Sequence, residues 1–172
     1  MNSYLRRTFH FIKITVIILL CIRTFILEPG MVNGRSMEKT FLDNDFFLLN
    51  KIILLIREPK RGDIVVVQEP NVDKIMIKRV IGLPGEQISI NQQGVFVRNE
   101  QGKKFILHEP YLEKGIRTTT PDGSSGDYTK IPPHSYFLMG DGRTQSSDSR
   151  IFGAFHRKTI YGLVMPIHFF NR

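Results

Sequence analysis

Three features of this 172-residue chain have the residue types needed for nucleophilic catalysis. Ser36 lies shortly after Gly34, Lys78 lies inside an apolar run, and Ser146 belongs to a polar segment at residues 140–150. A serine hydroxyl is a weak nucleophile until a base removes its proton, and lysine serves as that base when burial keeps its amine neutral. Together these features predict acyl-transfer chemistry by a serine and a lysine.

Ser36 has the surroundings expected of a nucleophile on a turn. Gly34 permits close approach of another backbone, and the N–H groups of this segment are candidates for an oxyanion hole. A serine close to a glycine is most often an ordinary loop residue. The assignment of Ser36 therefore depends on the lysine and on the polar segment.

Lys78 acquires apolar neighbours if residues 74–81 form a strand, because Met76, Lys78 and Val80 then share one face. Desolvation lowers the pKa of a lysine from its reference value of about 10.4 toward the value of about 7–8 that a general base needs. The alternative is a lysine at the edge of a sheet with its amine in water.

The polar segment, residues 140–150, is rich in turn-forming and charged residues, and two interpretations fit it. One is a solvated loop held by local hydrogen bonds. The other is a support of the site, in which one hydroxyl holds the lysine amine while carboxylate–guanidinium pairs fix the loop. The segment by itself leaves both open.

Short β-rich runs separated by turn residues predict an all-β, largely antiparallel domain from Phe46 onward. The apolar segment 46–56 is too short to span a bilayer, so it is either a buried strand, which we favour, or a surface that lies on a membrane. The predicted strands are residues 46–50, 64–68, 74–81, 87–90, 94–98, 104–108, 135–139 and 160–165.

Residues 1–28 predict a short cytoplasmic tip and a membrane anchor, followed by a catalytic domain at residues 29–172. The window 8–27 has the length of one transmembrane helix if Lys13 and Arg23 extend to the two interfaces. The competing interpretation is a cleaved signal peptide, but no pair of small residues marks a cleavage site. The positive-inside rule then places the catalytic domain outside the cytoplasm.

The formal charge of +8 does not predict a nucleic-acid partner, because the basic residues are scattered and no nucleic-acid motif accompanies them. Anionic membrane lipids are the better partner for this charge. The single cysteine, Cys21, lies in the apolar window, so no disulfide is expected in the domain. The sequence has no zinc-ligand spacing, and we expect neither a metal nor an organic cofactor.

Four motifs in order resemble those of bacterial type I signal peptidases, and the resemblance runs from the anchor nearly to the end of the chain. The motifs are Ser36-Met37-x-x-Thr40, Arg61-Gly62-Asp63-Ile64-Val65-Val66, Lys78-Arg79-x-x-Gly82-Leu83-Pro84-Gly85 and Gly140-Asp141-x-Arg143-x-x-Ser146-x-Asp148-Ser149-Arg150.

The resemblance implies a role for each matching residue. Ser36 would be the nucleophile, Lys78 the general base, and Ser146 the residue that orients the lysine. Gly34 occupies the position of an oxyanion donor, here through its backbone N–H together with that of Ser36. The residues implied as structural supports of the site are Arg79, Asp141, Asp148 and Arg150.

Two positions depart from the family pattern, which usually has proline at position 39 and asparagine at position 142. Lys39 and Gly142 imply a looser turn after the nucleophile and a less rigid third motif. These departures bear on efficiency and substrate range more than on the type of reaction. The interval 86–140 is short for the family, which implies a minimal catalytic core.

The resemblance implies an all-β, signal-peptidase-type domain with one N-terminal transmembrane helix. The expected function is cleavage of signal peptides from exported preproteins as they leave the translocon, by a single-pass protein of the bacterial cytoplasmic membrane with its catalytic domain on the extracytoplasmic side. One alternative is a peptidase dedicated to a single secretion or conjugation system. Others are a non-catalytic membrane-anchored binding module of the same fold, a mitochondrial inner-membrane peptidase, and a histidine-based serine hydrolase.

Overall fold

The structure is a computed structural model, and it describes residues 3–70, 72, 74–113, 115–120 and 126–166. Its helices are α1 (Ser3–Phe25), α2 (Ile53–Ile56) and α3 (Ser149–Phe152), and a 3₁₀ turn covers Arg157–Thr159. Its strands are β1 (Leu27–Met31), β2 (Phe46–Asn50), β3 (Ile64–Gln68), β4 (Ile75–Gly82), β5 (Gln87–Asn91), β6 (Gly94–Arg98), β7 (Lys104–Ile106), β8 (Thr129–Lys130), β9 (Ser135–Met139), β10 (Phe155–His156) and β11 (Ile160–Pro166).

The described strands form two antiparallel sheets. The larger sheet has seven strands in the order β1-β2-β11-β3-β4-β9-β10, and the smaller has four in the order β7-β6-β5-β8. Every strand pair in both sheets is antiparallel. The prediction of a mostly β, antiparallel domain is therefore confirmed.

Strand β4 lies between β3 and β9 in the larger sheet, and its side chains alternate between different parts of the core. Met76 and Val80 pack in one cluster of buried residues, Ile77 packs against a second, and Ile81 belongs to a third. This alternation follows from the period of two along a strand. Both faces of β4 are thus covered, which removes polar residues on this strand from solvent.

The apolar segment 46–56 does not form one buried strand. Phe47 and Leu49 of β2 are buried, but the chain then turns and forms α2, where Leu55 and Ile56 are exposed. The Asn50 side chain accepts a hydrogen bond from the N–H of Ile53 at 3.1 Å, which favours a turn at this point. The prediction of a buried strand is right for β2 and wrong for the remainder of the segment.

Helix α1 lies where the sequence predicts the membrane anchor, and it leads directly into β1. Within the described ranges, no helix combines the length and the apolar character needed to cross a membrane, so the predicted transmembrane helix is not supported. Lys13 and Arg23 interrupt the apolar residues of α1. At the end of the helix, Lys51 Nζ donates a hydrogen bond to the carbonyl of Thr24 at 3.3 Å.

Candidate active site

Ser36 lies on the turn that follows β1, close to a glycine with a backbone conformation that other residues rarely adopt. Gly34 has a φ of +97°, and Ser36 is half-buried. Ser36 and Lys78 line the same cavity, which has a volume of about 350 Å³. Within the described residues, the Ser36 hydroxyl forms no hydrogen bond, so it is available to a group that enters the cavity.

Lys78 lies in the middle of β4, opposite Val65 of β3. Only 2% of the residue is exposed, although its side chain ends in an amine. Its Nζ donates a hydrogen bond to Ser146 Oγ at 3.1 Å. The alternative of a lysine with its amine in water is therefore wrong, because the amine ends inside the protein against a hydroxyl.

Burial lowers the pKa of Lys78 to about 8. The ammonium form is disfavoured because it loses hydration without gaining a directly paired carboxylate. Asp148 and Glu69 oppose the shift by attraction, whereas Lys74 and Arg150 add to it by repulsion. A substantial fraction of Lys78 is consequently neutral in mildly alkaline solution, as a general base requires.

The polar segment packs directly against the turn that carries Ser36. The N–H of Gly142 donates a hydrogen bond to the carbonyl of Ser36 at 3.0 Å. A Cβ on Gly140 would collide with the Ser36 carbonyl and the Ser146 hydroxyl, and a Cβ on Gly142 would collide with the Arg35 carbonyl. The two backbones touch because both positions are glycine, so Gly142 permits a tight contact here.

Asp141 joins the polar segment to β4 and to the turn after the nucleophile. Its carboxylate accepts hydrogen bonds from Arg79 Nε at 2.8 Å and Arg79 Nη2 at 2.6 Å, and another from the hydroxyl of Thr40. Arg79 Nη1 also donates to the carbonyl of Gly62 at 2.9 Å. Since Asp141 and Arg79 are both buried, these bonds form in an environment where charge-assisted contacts are strong.

Asp148 and Arg150 form a second buried pair beside Ser146. The carboxylate of Asp148 accepts from Arg150 Nε and Nη2, both at 2.8 Å, and from the N–H of Gly140 at 3.0 Å. Burial alone would raise the pKa of Asp148, but the Arg150 and Gly140 hydrogen bonds outweigh it and hold this pKa below the usual value. Arg150 Nη2 also donates to the carbonyl of Ser146 at 3.2 Å, which fixes the residue that contacts Lys78.

The two backbone donors assigned to an oxyanion hole differ in their present contacts. The N–H of Gly34 donates to Asp43 Oδ1 at 2.7 Å, so it is occupied in this structure. Among the described residues, the N–H of Ser36 has no hydrogen-bond partner. Only the Ser36 N–H is therefore free to bind an oxyanion without a prior change of contacts.

Strand β4 has an open edge next to the cavity. Its residues 75–79 pair with β3 on one side, but pairing with β9 on the other side begins only at Arg79. Within the part of the chain that the structure describes, residues 75–78 therefore have no partner strand on the β9 side. Backbone donors and acceptors at such an edge are available to an extended chain.

Several residues that contact the site were not given a role by the sequence. Thr40 and Arg143 lie inside the recognised motifs, and their place in those motifs is the sequence signal that points to them. Glu109, Tyr111 and Thr118 lie in a segment with no recognised motif, and their contacts join residues that are far apart in sequence. Within the described ranges, no group of three or more His, Cys, Asp and Glu side chains is placed to hold a metal ion.

Lys39, one of the two departures from the family pattern, has an unusual backbone conformation. Its φ is +90°, which lies in the left-handed region that non-glycine residues seldom occupy. Its side chain forms an ion pair with Glu113, and both side chains are about half exposed. Proline cannot adopt this φ because its ring holds φ near −65°, so the proline usual in the family does not fit this turn.

Comparisons with known proteins agree with the motifs. A family model described as Signal peptidase, peptidase S26 matches residues 5–169. A signal peptidase I P from Bacillus subtilis subsp. natto is 36% identical over 163 residues, which cover 92% of this chain and 85% of that protein. A signal peptidase I T from Bacillus subtilis (strain 168) is 39% identical over 143 residues, covering 81% of this chain and 72% of that protein. The crystal structure of a signal peptidase I from Enterococcus faecalis V583 is 27% identical, with a TM-score of 0.49, and covers 63% of this chain and 98% of that chain.

The φ of Lys39 leads to a prediction about stability. Replacement of Lys39 by glycine should raise the free energy of unfolding by about 0.5–1 kcal/mol, because glycine adopts a positive φ without strain. Lys39→Pro should lower it. Chemical denaturation of the full chain in detergent measures both changes. Glu113→Gln is the matched control, since it removes the same surface ion pair without changing the backbone and should shift stability by less than about 0.5 kcal/mol. A destabilised Lys39→Gly variant would contradict the prediction.

Proposed function

Because this chain belongs to the signal peptidase family, peptidase S26, and is therefore a serine peptidase, we propose that it cleaves signal peptides from exported preproteins in the cavity that Ser36 and Lys78 line. The observation that carries this proposal is the buried amine of Lys78, which lies on the same cavity as an unbonded serine hydroxyl. A lysine in water at neutral pH is charged and takes no proton, whereas this lysine has a pKa of about 8.

In the proposed mechanism, the neutral amine of Lys78 takes the proton of Ser36 as its Oγ attacks the carbonyl carbon of the scissile peptide bond. The resulting tetrahedral intermediate breaks its C–N bond, and the amine of Lys78 returns the proton to the leaving nitrogen. Water, deprotonated by the same amine, then attacks the ester carbonyl. The C–O bond to Ser36 Oγ breaks, Oγ regains a proton from Lys78, and the cleaved segment leaves with a new C-terminal carboxylate. A hydrogen bond between Ser36 and Lys78 is absent from this structure, and such bonds commonly tighten only when substrate binds.

The remaining site residues have proposed positioning roles. Ser146 keeps the amine of Lys78 within reach of the nucleophile through the hydrogen bond at 3.1 Å. The N–H of Ser36 stabilises the oxyanion, and the N–H of Gly34 joins it once Asp43 releases its hydrogen bond. The buried pairs of Arg79 with Asp141 and of Arg150 with Asp148 support these groups and take no part in proton transfer.

We propose that substrate binds in an extended conformation along the open edge of β4. Residues 75–78 offer backbone groups without a partner strand among the described residues, and Lys78 ends this edge beside Ser36. Addition of a strand to a sheet edge gives affinity through the main chain, while shallow pockets select side chains at alternate positions. Small residues in an Ala-x-Ala pattern suit such pockets.

We also propose that α1 attaches the catalytic domain to the outer face of the bacterial cytoplasmic membrane. Large apolar side chains of this helix, among them Phe9, Phe11 and Leu19, are more than half exposed. Basic residues at the start of the helix favour an orientation with the N-terminus in the cytoplasm. The preproteins would then reach the site as they emerge from the translocon.

The first test of this function is cleavage of a generic preprotein with an Ala-x-Ala cleavage site by the detergent-solubilised full chain. Ser36→Ala and Lys78→Ala should each reduce kcat by about a thousandfold or more while the protein stays folded, and the double variant should be little worse than either single variant. Lys130→Ala, which removes an exposed lysine from β8, is the matched control and should retain wild-type activity. Substantial cleavage by folded Ser36→Ala or Lys78→Ala would refute the catalytic pair.

The pH dependence of kcat/KM reports the base. The active form of Lys78 is neutral, so the rate should rise about tenfold per pH unit at low pH and level off above about 8, the pKa of Lys78. Ser146→Ala should lower the plateau without abolishing activity, because Ser146 exchanges no proton with the substrate. An ascending limb centred near the ordinary histidine pKa of about 6.5 would instead indicate a histidine base.

Membrane attachment is tested by extraction of bacterial membranes with alkaline carbonate, which releases proteins held only by charge. The full chain should stay with the membrane fraction, because the apolar side chains of α1 enter the lipid. A variant with Phe9, Phe11 and Leu19 replaced by serine should move largely to the supernatant. Release of the wild-type chain would contradict attachment through α1.

A further inference from the structure

A segment without a recognised motif packs across the supports of the proposed active site. We call residues 109–113 and 115–119 the strap. Glu109 of the strap pairs with Arg143, and Thr118 accepts a hydrogen bond from the same guanidinium. The ring of Tyr111 lies over the guanidinium of Arg79, with 3.9 Å between Cζ and the ring centroid. The strap thus contacts two of the arginines that hold the polar segment and β4.

The pair of Glu109 and Arg143 is buried more deeply than most ion pairs on protein surfaces. The side chain of Arg143 is 0% exposed and that of Glu109 is 8% exposed. Arg143 Nη1 donates to Glu109 Oε2 at 3.0 Å, Arg143 Nη2 donates to Glu109 Oε1, and the hydroxyl of Tyr111 donates to Oε1 at 2.7 Å. Loss of the carboxylate would leave a buried guanidinium without a counter-charge, which is strongly unfavourable.

Arg143 transmits this contact to the backbone beside the nucleophile. Its Nε donates to the carbonyl of Gly140 at 3.1 Å. Gly140 lies so close to the carbonyl of Ser36 and the hydroxyl of Ser146 that it has no room for a Cβ. Any movement of Gly140 must therefore move the Ser36 turn, the contact of Ser146 with Lys78, or both.

We propose that Glu109 is a positioning residue for the Ser36–Lys78 pair and acts through Arg143 on the carbonyl of Gly140. This inference rests on the proposed function and adds to it a residue from outside the four motifs. Glu109 touches neither substrate nor the reacting atoms in this role. It holds a guanidinium in place, and that guanidinium fixes the peptide unit against which the nucleophile turn packs.

A role in stability alone would have different consequences from a role in positioning. If Glu109 only neutralised Arg143, removal of both charges would restore both the stability and the activity of the protein, because replacing both partners of a buried pair is often neutral. If Arg143 also positions Gly140, removal of both charges restores stability but leaves the Gly140 carbonyl without its donor. The double variant Glu109→Gln/Arg143→Met therefore separates the two roles.

The experiment compares the full chain in detergent with Glu109→Gln, Arg143→Met and their double variant. Glu113→Gln is the matched control, because it makes the same change in the strap at an exposed position. Three measurements are made on each protein: kcat and KM for the Ala-x-Ala preprotein, the thermal unfolding midpoint, and the pKa of Lys78 from the ¹³C shift of its Cε without substrate.

We expect Glu109→Gln to lower kcat at least about tenfold with KM within about threefold, because misplacement of catalytic groups affects the chemical step more than binding. The double variant should recover most of the lost thermal stability and keep the low kcat. The pKa of Lys78 should rise from about 8 toward its ordinary value as water enters beside the amine. Loss of the negative charge of Glu109 would by itself lower the pKa of Lys78. A raised pKa therefore shows that the groups around the amine have moved. Glu113→Gln should match the wild type.

Wild-type kcat in folded Glu109→Gln, or recovery of kcat in the double variant, would overturn the proposal. If Glu109→Gln does not fold, the kcat of the double variant alone tests the proposal: a low kcat supports it, and a recovered kcat overturns it. If the wild type does not cleave the preprotein, the proposed function fails, and the titration decides the positioning role independently. An unchanged or lowered pKa of Lys78 in both Glu109→Gln and the double variant would then refute it, and a raised pKa in either would support it.

Discussion

The burial of one lysine amine among apolar side chains determines what the surrounding structure has to supply. An ammonium ion inside a protein is unfavourable unless it loses its proton or gains compensating partners. Ser146 provides a hydrogen-bond acceptor for Lys78, and Asp148 provides a negative charge at a distance. Asp148 is itself 0% exposed and needs Arg150, which in turn donates to the carbonyl of Ser146. The burial of one amine thus accounts for the linked polar contacts of Ser146, Asp148 and Arg150 in the polar segment.

Strand β4 contacts the polar segment through side chains on both of its faces. Lys78 and Arg79 are consecutive, so their side chains project to opposite faces, and they contact Ser146 and Asp141 respectively. The polar segment begins where β9 ends, and Met139 pairs with Arg79 at that point. Because the chain turns away there, the preceding residues of β4 keep an open edge beside the nucleophile.

Patterns that depend on nearby residues could be read from the sequence. The strands β2, β3, β6 and β9 have the predicted bounds, because short apolar runs between turn residues specify them locally. The faces of β4 follow from the period of two along a strand, which is why the burial of Lys78 was foreseeable. The site residues came mainly from the resemblance, because a serine beside a glycine or a charged loop has no unique local meaning.

Features that depend on distant partners were not accessible from the sequence. Strand β1 contains Pro29 and Gly30, which disfavour strands, yet it forms because it pairs with β2 and the ring of Phe47 covers Gly30. Glu109 and Arg143 are separated by 34 positions, and neither local sequence indicates the other.

An open sheet edge is also where two copies of a β protein can join and aggregate. In β4 that edge is only residues 75–78 and follows the exposed, charged Lys74. A second folded copy finds too few pairing groups there, so the edge favours a flexible single chain over self-association.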